Sequence, residues 1–350
     1  MITQVDSLEF TVLVDNTLEW MTKLPPGFTS ELRLHLENAP PINPILQVPI
    51  VDLDHYCCGA HGLAILIKEY HTLFDTGPDG AALARNLDSL KVDIGSVDRI
   101  VLSHWHRDHS GGILEFLRRR RGLASKSQIT VDLHPSRPFA RGIAPPPTFD
   151  KVLACLPDDP TFQEIEALDA IVDRRDEGHV VQGDTVYVSG EIPRLTEWER
   201  GLLGGVRWIP KEEASDSDVQ GKWISEPEIL DERYAAVDVA GKGLVVFSSC
   251  SHAGICNVVS DASKRFQRPI YAVVGGLHLA GPELAPRIAP TVDYLKNKVN
   301  PPPTYVLPLH CTGLAAKVAL VNAFGDGCVA AGVGMRARID ADSISATKSN

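Results

Sequence analysis

Short apolar runs alternate with segments of helical spacing along most of this 350-residue chain. In the first half, β-branched and aromatic residues cluster between turn formers in a way that predicts strands. Between and after these strands, apolar residues recur every three or four positions, which predicts helices. The strand segments are "FTVLVDN" (10–16), "GLAILIKEY" (62–70), "HTLFDTG" (71–77) and "DRIVLSHWH" (98–106), and the helix segments are "AALARNLDSL" (81–90) and "ILEFLRRRR" (113–121).

The same alternation returns in the last third of the chain. The segment "YAAVDVAGKGLVVFSSCSH" (234–252) reads as two strands joined at Gly241 to Gly243, a pattern typical of a hairpin. Strands at 270–279 and 304–313 then alternate with helices at 255–266, 287–299 and 314–325. Three of these strands end in a histidine beside small residues, at His252, His278 and His310, and strand ends are rigid positions from which side chains can converge.

The region between the two halves has a weaker pattern. "SRPFARGIAPPPTFD" (136–150) is rich in proline, and "KEEASDSDVQGKW" (211–223) is polar. We therefore expect one domain over residues 1–340, with a loop-rich insertion at about 135–231 that covers one edge and shapes substrate choice, followed by a flexible tail at 341–350.

Composition excludes several classes of protein. A formal net charge of -11 argues against binding a nucleic acid, and the acidic N-terminus and the absence of an apolar run of about 20 residues argue against a signal peptide and a membrane span. The seven cysteines show no repeated spacing, which favours reduced thiols. We expect a cytoplasmic protein with a small-molecule substrate, and its oligomeric state is open, a homodimer included.

The segment "VLSHWHRDHSGG" (101–112) carries the strongest chemical signal. In an extended chain alternate side chains face the same way, so His104 and His106 point together while Trp105 points into packing. If the chain turns at Arg107, the next two ligand-type residues face a second position close by. A polar loop would explain one histidine, but HxHxDH between an apolar strand and Gly-Gly indicates a metal site.

Imidazole and carboxylate ligands without thiolate suit zinc, with manganese or iron as alternatives. Six ligand-type residues fill two three-ligand sites with positions left for water. One assignment places His104, His106 and His252 around the first metal ion, and Asp108, His109 and His310 around the second. Two adjacent metal ions activate water to hydroxide near neutral pH, which is suited to hydrolysis.

This constellation resembles the metallo-β-lactamase superfamily, which carries HxHxDH at a strand-to-helix junction. "LFDTG" with Asp75 resembles the aspartate turn that braces the metal loop, and "PLHCTG" with His310 resembles the last ligand segment. The resemblance implies a four-layer αββα sandwich with two mixed sheets face to face and metal ions at one edge. The most similar subgroup is that of the dihydropterin ribofuranosylaminobenzene phosphate synthase-like hydrolases, through "VDN" (14–16), "AHGLAILI" (60–67), "SGEIPR" (189–194), "SCSHAGICN" (249–257) and "VVGGLHL" (273–279).

The chain departs from the superfamily pattern at one place. Where many members have a metal-bridging aspartate at the end of a hairpin strand, this chain has "SSCSH". Three candidates stay open for that role: His252, Cys250 and Glu191. Glu191 is also a candidate for contact with substrate.

Other residues have two interpretations each. His278 can hold a substrate oxygen or orient a metal ligand. His61 can line the mouth of the pocket, and His134 can reach the cleft or cap a turn. Asp108 can bind metal, pass a proton during breakdown of the tetrahedral intermediate, or do both. The vicinal pair Cys57 and Cys58 favours buried or half-buried thiols.

The favoured function is hydrolysis of a small carbonyl substrate, such as a cyclic amide, lactone, ester or thioester, by a zinc-activated hydroxide. Phosphoester hydrolysis or a pterin-type synthase reaction is the second enzymatic choice. An alternative of another class is a di-iron redox or sensing protein, because some members of the superfamily that work with flavoprotein partners bind two iron ions. The histidine-rich ligand set and the absence of a flavodoxin-like segment favour zinc.

Overall fold

A computed structural model describes residues 2–38, 40–51, 53–68, 71–123, 128–211 and 221–342. The strands in these ranges are β1 (Ser7–Val14), β2 (Phe28–Thr29), β3 (Ala64–Ile67), β4 (Thr72–Phe74), β5 (Arg99–Val101), β6 (Thr130–Leu133), β7 (Ala140–Ile143), β8 (Ala154–Cys155), β9 (Ile171–Arg174), β10 (His179–Val181), β11 (Val186–Val188), β12 (Gly205–Pro210), β13 (Gly221–Ser225), β14 (Ala235–Val239), β15 (Gly243–Ser248), β16 (Ile270–Gly276), β17 (Tyr305–Leu309) and β18 (Arg336–Asp340). The α-helices are α1 (Glu31–Glu37), α2 (Gly80–Ser89), α3 (Arg107–Ser110), α4 (Ile113–Arg121), α5 (Phe162–Glu166), α6 (Ile255–Phe266), α7 (Ala285–Asp293) and α8 (Leu314–Phe324), and a π-helical turn, Tyr294–Lys298, continues α7.

Two mixed sheets form the centre of the molecule. The first has the strand order β2-β18-β1-β3-β4-β5-β6-β9, and the second has β10-β11-β14-β15-β16-β17. The chain passes from the first sheet to the second between β9 and β10, and the final strand β18 returns to the first sheet beside β1. Residues from the two halves of the chain therefore meet across the space between the sheets.

The main core lies between the facing sheets. Phe10 and Phe74 of the first sheet pack in one buried cluster with Val237, Phe247 and Leu307 of the second. The rings of Phe10 and Phe247 meet edge to face with centroids 5.3 Å apart, a favourable aromatic geometry. Alternate residues of the strands point to opposite faces, so each sheet also has an apolar outer face to cover.

Helices cover the two outer faces. Leu83 of α2 and Phe116 of α4 pack on the first sheet, while Val258 of α6 and Leu320 of α8 pack on the second. These four layers are the αββα sandwich that the resemblance implied, and that prediction is confirmed. Among the described residues no helix is long and apolar enough to cross a membrane.

Residues 135–231 contain more regular structure than the expected loop-rich insertion. Their strand β9 extends the first sheet, β10 and β11 extend the second, and β7, β8, β12 and β13 form a separate four-stranded sheet in the order β13-β12-β7-β8. A strand of three residues, such as His179–Val181, is too short to carry much period-two signal. The polar residues 212–220 and the tail residues 343–350 lie outside the described ranges, and the single-domain boundary stays a prediction.

The predicted hairpin at Gly241 to Gly243 is confirmed, since β14 and β15 pair antiparallel across it. From there β15, β16 and β17 run parallel, and Ser248, Gly275 and Pro308 lie side by side at the carboxyl ends of these strands. Carboxyl ends of parallel strands share one edge, so the histidines that follow these strands are brought together.

Candidate metal centre

The first group of candidate ligands consists of three buried imidazoles. His104 and His106 follow β5 of the first sheet, and His252 follows β15 of the second. Nε2 of His104 lies 2.9 Å from Nδ1 of His106, which lies 3.2 Å from Nε2 of His252. Three ring nitrogens from two sheets therefore converge on one point, as the sequence predicted for these residues.

The second group lies beside the first and contains Asp108, His109, Cys250 and His310. Oδ2 of Asp108 is 3.6 Å from Nε2 of His109 and 3.3 Å from Nε2 of His310. The Sγ atom of Cys250 is 3.2 Å from Nε2 of His109. Glu191, the third candidate for the bridging position, is exposed and belongs to neither group, whereas the thiol of Cys250 occupies a place in the second.

In three of these histidines, a hydrogen bond from Nδ1 to a neighbouring side chain leaves Nε2 as the nitrogen that faces the other candidate ligands. Nδ1 of His109 donates to Asp75 at 2.9 Å, Nδ1 of His310 donates to Asn16 at 3.0 Å, and Nδ1 of His104 donates to the Ser103 hydroxyl at 2.9 Å. Each Nε2 is then left with a lone pair that points at other acceptors. Acceptors that face each other at 3.3 Å need a cation between them, either a proton or a metal ion.

The pKa values of the buried histidines also reflect how closely these groups are packed. Burial and the neighbouring imidazoles hold the pKa values of His104 and His252 well below the usual range, and burial lowers that of His106 to about 3. Burial opposes the charge on His109 as well, but Asp108 and Asp75 outweigh it and raise the pKa of His109 to about 9. The first group is therefore neutral, the form of histidine that binds metal, and the second holds a proton that a metal ion can displace.

The turn that carries HxHxDH is held from beneath by buried Asp75. Its carboxylate accepts hydrogen bonds from Ser103 N at 2.7 Å, from the Ser103 hydroxyl at 2.8 Å and from the Ser249 hydroxyl. The two glycines after the motif are required by close packing, because a Cβ at Gly111 would lie 1.8 Å from the carbonyl oxygen of Pro78. Asp75 therefore has the bracing position that the resemblance implied.

A buried ion pair that the sequence analysis missed holds the loop from the other side. Asp231 accepts a hydrogen bond from Trp105 N at 2.7 Å and a second from Arg141 Nη2 at 2.6 Å, and Arg141 also donates to Trp105 O at 2.5 Å. Trp105 is fully buried, as its position between the two histidines predicted. Burial raises the pKa of Asp231, but Arg141 outweighs burial and keeps it below the usual range.

Two further carboxylates position candidate ligands and were also missed. Asp15 accepts a hydrogen bond from His310 N at 2.6 Å, and Glu232 accepts from His252 N at 2.8 Å and from Ala253 N at 2.7 Å. Burial raises the pKa of Glu232 to about 7. Asp15 and Glu232 stand at the end and beginning of buried strands, which is the sequence signal that could have found them.

The remaining predicted residues lie at different distances from the centre. The ring of His278 packs on that of His252 with centroids 4.5 Å apart, and both of its ring nitrogens are buried without a hydrogen-bond partner. The exposed His61 lies at the rim, 3.7 Å from Asp108 and bonded to Asn16 at 3.1 Å. His134 bonds within its own turn, accepting from Ser136 N, and its carbonyl oxygen accepts from the Trp105 indole.

The vicinal cysteines lie outside both ligand groups. Cys57 is buried and Cys58 is half-buried. The backbone N–H of Cys57 donates to Glu31 at 2.7 Å, and that of Cys58 donates to Asn86 at 2.8 Å. These contacts tie the segment to α1 and α2.

Both groups fit a tetrahedral metal ion. Zinc–nitrogen bonds of about 2.0–2.1 Å and zinc–sulfur bonds of about 2.3 Å set ligand atoms roughly 3.3–3.6 Å apart around a tetrahedron. The distances of 2.9 to 3.6 Å described above fall close to that spacing. The donor set of imidazole, carboxylate and thiolate is also one that zinc accepts.

The αββα sandwich, with two clusters of histidine, aspartate and cysteine at its strand ends, can be compared with known protein families. The sequence model of the metallo-beta-lactamase superfamily matches residues 59–195 of this chain. The chain is similar to the crystal structure of a metal-dependent hydrolase of the beta-lactamase superfamily, with a TM-score of 0.64, 19% identity and coverage of 95% of this chain and 99% of that one.

Two curated relatives from Methanocaldococcus jannaschii are similar over most of their length. One is 7,8-dihydropterin-6-methyl-4-(beta-D-ribofuranosyl)-aminobenzene-5'-phosphate synthase, 28% identical over 272 residues that cover 75% of this chain and 85% of the relative. The other is an uncharacterised protein, 29% identical over 283 residues that cover 79% and 93%. The first relative is a synthase of the kind named in the predicted subgroup.

Proposed function

We propose that this protein is a metal-dependent hydrolase with a dinuclear zinc centre. The observation that carries the proposal is the set of inward-facing acceptor atoms in two adjacent groups, which a cation must separate. The residues that would hold the first ion are His104, His106 and His252, and those that would hold the second are Asp108, His109, His310 and, in addition to the sequence prediction, Cys250.

Divalent metal ions held at such a site lower the pKa of water and polarise a carbonyl oxygen. The chain's own residues complete the chemistry. Asp108 is half-buried and at the rim, where its carboxylate can take a proton and pass it to the leaving group. His278, with two buried ring nitrogens free of partners, can hold a substrate oxygen.

We favour a small carbonyl substrate over a phosphate ester. Phosphoryl transfer relies on cations, both metal ions and cationic side chains, that neutralise the phosphate oxygens. The positive charge of Arg141 contributes to the lowered pKa values of His104 and His106. Its guanidinium, however, already pairs with Asp231 at 2.6 Å and with Glu226 at 2.9 Å. The protein therefore neutralises the charge of Arg141, which supports our preference for an uncharged ester, lactone, cyclic amide or thioester.

A pterin-type synthase or phosphoesterase is the second candidate. It is favoured by the similarity to the Methanocaldococcus jannaschii synthase, which extends over 75% of this chain. That likeness is below 30% identity, so it supports kinship more strongly than it supports a shared substrate.

The first experiment measures metal content. The apoprotein is titrated with zinc and with iron(II), and bound metal is counted after gel filtration. Two zinc ions per chain, with loss of one in a His310→Ala variant and none in a His134→Ala control, support the proposal. Iron with a reducible optical band, bound in preference to zinc, would contradict it and favour a redox or sensing role.

The second experiment identifies the reaction class. Zinc-loaded protein is assayed against lactones, cyclic amides, thioesters and phosphodiesters, with chelated protein as control. Turnover of one carbonyl class that disappears on chelation supports our preference. Turnover restricted to phosphodiesters would overturn the carbonyl assignment while leaving metal-dependent hydrolysis intact.

A further inference from the structure

The asparagine just beyond the first strand touches two histidines of the site. Asn16 follows Asp15 after the end of β1, and its side chain is hydrogen-bonded to Nδ1 of His310 at 3.0 Å and to Nδ1 of His61 at 3.1 Å. His310 is a candidate ligand of the second group, whereas the exposed His61 lies at the rim. One amide group therefore joins a candidate metal ligand to the mouth of the site.

The amide of Asn16 can take only one of its two orientations. Gly62 N donates a hydrogen bond to Asn16 Oδ1 at 3.2 Å. A backbone N–H is always a donor, so a flipped amide would set its own N–H groups against the N–H of Gly62. The amide oxygen therefore faces Gly62 and His310, and the amide nitrogen faces His61.

The segment that supplies this backbone donor is itself packed on the loop that carries HxHxDH. Leu63 N donates to Asp108 O at 3.3 Å, and a Cβ placed on Gly62 would lie 2.2 Å from the same carbonyl oxygen. On its other side the segment is tied to the end of β1, because Ala60 N donates to Asp15 O at 2.9 Å. Gly62 is therefore held between the two, and with it the N–H group that orients the amide.

The fixed amide requires a different tautomer in each histidine. The amide oxygen only accepts, so Nδ1 of His310 carries a proton and Nε2 of His310 keeps a lone pair for a metal ion. The amide nitrogen only donates, so Nδ1 of His61 keeps its lone pair and Nε2 of His61 carries the proton. That Nε2 lies 3.7 Å from Oδ2 of Asp108, and the His61 side chain is 73% exposed. The rim therefore presents an N–H donor next to the carboxylate of the second group.

We propose that Asn16 is a positioning residue that sets opposite tautomers in His310 and His61. In His310 it directs the lone pair of Nε2 toward the second metal ion. In His61 it directs an N–H group toward Asp108 and toward an acceptor atom of the substrate, such as a carbonyl oxygen. The role toward His310 rests on the proposed metal-dependent function, whereas the tautomer of His61 is a property of the chain itself.

Two substitutions at Asn16 separate these roles, and since Asn16 is exposed, both variants should fold. Asn16→Asp keeps an oxygen toward Gly62 and His310 but sets a second oxygen, which only accepts, against His61. Zinc affinity should therefore be at least that of the wild type, while His61 should reverse its tautomer and carry the proton on Nδ1. Asn16→Ala removes the acceptor from His310, and zinc affinity at the second group should fall by about 10- to 100-fold.

Zinc affinity is measured by competition against a chromogenic chelator, with and without each substitution. Tautomers are read from long-range proton–nitrogen correlation spectra of histidine-labelled protein in alkaline buffer, where imidazole is neutral. The signals of His61 are assigned by their loss in a His61→Gln variant. The matched control is Asn43→Ala, because Asn43 also accepts backbone hydrogen bonds, from Ile45 N and Leu46 N, but belongs to neither ligand group. Both measurements should match the wild type in this control.

Failure of the positioning role can be distinguished from failure of the proposed function. A wild-type His61 that carries its proton on Nδ1, an Asn16→Asp protein with an unchanged tautomer, or an Asn16→Ala protein with undiminished zinc affinity would each overturn the role of Asn16. A wild-type chain that binds no zinc would overturn the proposed function and the role toward His310, and the His61 tautomer of the metal-free chain would still decide the role toward the rim.

Discussion

Replacement of Asp75 by asparagine separates the bracing of the metal loop from its folding. Asp75 is fully buried and accepts from Ser103 N, from the hydroxyls of Ser103 and Ser249, and from His109 Nδ1. Asparagine keeps the shape, but it removes the negative charge and turns an N–H group toward one of these donors. The hydrogen bond that orients His109 is therefore weakened or lost.

The expected magnitude follows from what that hydrogen bond does. Asp75 is one of two carboxylates that raise the pKa of His109 to about 9 against the effect of burial. Carboxylates that orient a metal-bound histidine typically contribute 10- to 100-fold in metal affinity, equivalent to about 1.4–2.7 kcal/mol. The free energy of unfolding should fall by about 1–3 kcal/mol as well, because a buried donor loses its acceptor.

The assay is competition for zinc against a chromogenic chelator, combined with urea unfolding of the metal-free protein. The matched control is Asp79→Ala, which removes the cap that accepts from Ala81 N and Ala82 N at the start of α2. That variant should lose about 1 kcal/mol of stability with zinc affinity unchanged. An Asp75→Asn protein that binds both zinc ions as tightly as wild type would refute the reasoning.

Three further predictions concern the centre, a buried ion pair and the core. Asp108→Ala should abolish turnover while circular dichroism shows an intact fold, and retained turnover would rule out the dinuclear proposal. Asp132→Asn leaves the buried Arg233 without its 2.7 Å partner, so urea unfolding should show a loss of about 3–5 kcal/mol. Burial raises the pKa of Asp132, but His179 and Arg233 outweigh burial and lower the pKa from 3.8 to about 2. The ionised carboxylate therefore stabilises the fold fully above pH 3.8, and about 2 kcal/mol of this stabilisation is lost as the pH falls through 2. A free energy of guanidinium unfolding that does not change over this acid range would argue against the prediction. Phe247→Ala removes the ring packed on Phe10 and should cost about 3–5 kcal/mol, with a loss below 1 kcal/mol as the contrary result.

The sequence was informative where side-chain periodicity and chemistry coincide. The segment 104–109 shows its ligand types within six positions, and the strands that end before His252 and His310 are long apolar runs. The strands between 135 and 231 were missed because they are short or carry half-exposed polar residues, so alternation does not mark them.

The supporting carboxylates were missed for a different reason. Asp231 reaches Trp105 across 126 positions of the chain, and Asp15 reaches His310 across 295. A single acidic residue at a strand end has many possible roles, and only the packing of the two sheets decides which backbone N–H it meets. Periodicity reports which face of one element is buried, but it carries no information about partners on another sheet.

Each candidate ligand group draws atoms from both sheets, so a metal ion held there would link metal binding to the packing of the sandwich. In the first group His104 and His106 follow a strand of the first sheet and His252 one of the second, and in the second group Asp108 and His109 face Cys250 and His310 in the same way. A metal ion held there would bind the folded chain in preference to the unfolded one, and at a concentration 100 times its Kd it would add about 2.7 kcal/mol to the free energy of unfolding. Cys250 is the residue of the "SSCSH" segment that lies in the second group, with its Sγ 3.2 Å from Nε2 of His109, whereas the exposed Glu191 lies in neither group. Asp108, which is half-buried, is the carboxylate of the second group among the described residues, and its Oδ2 lies 3.6 Å from Nε2 of His109.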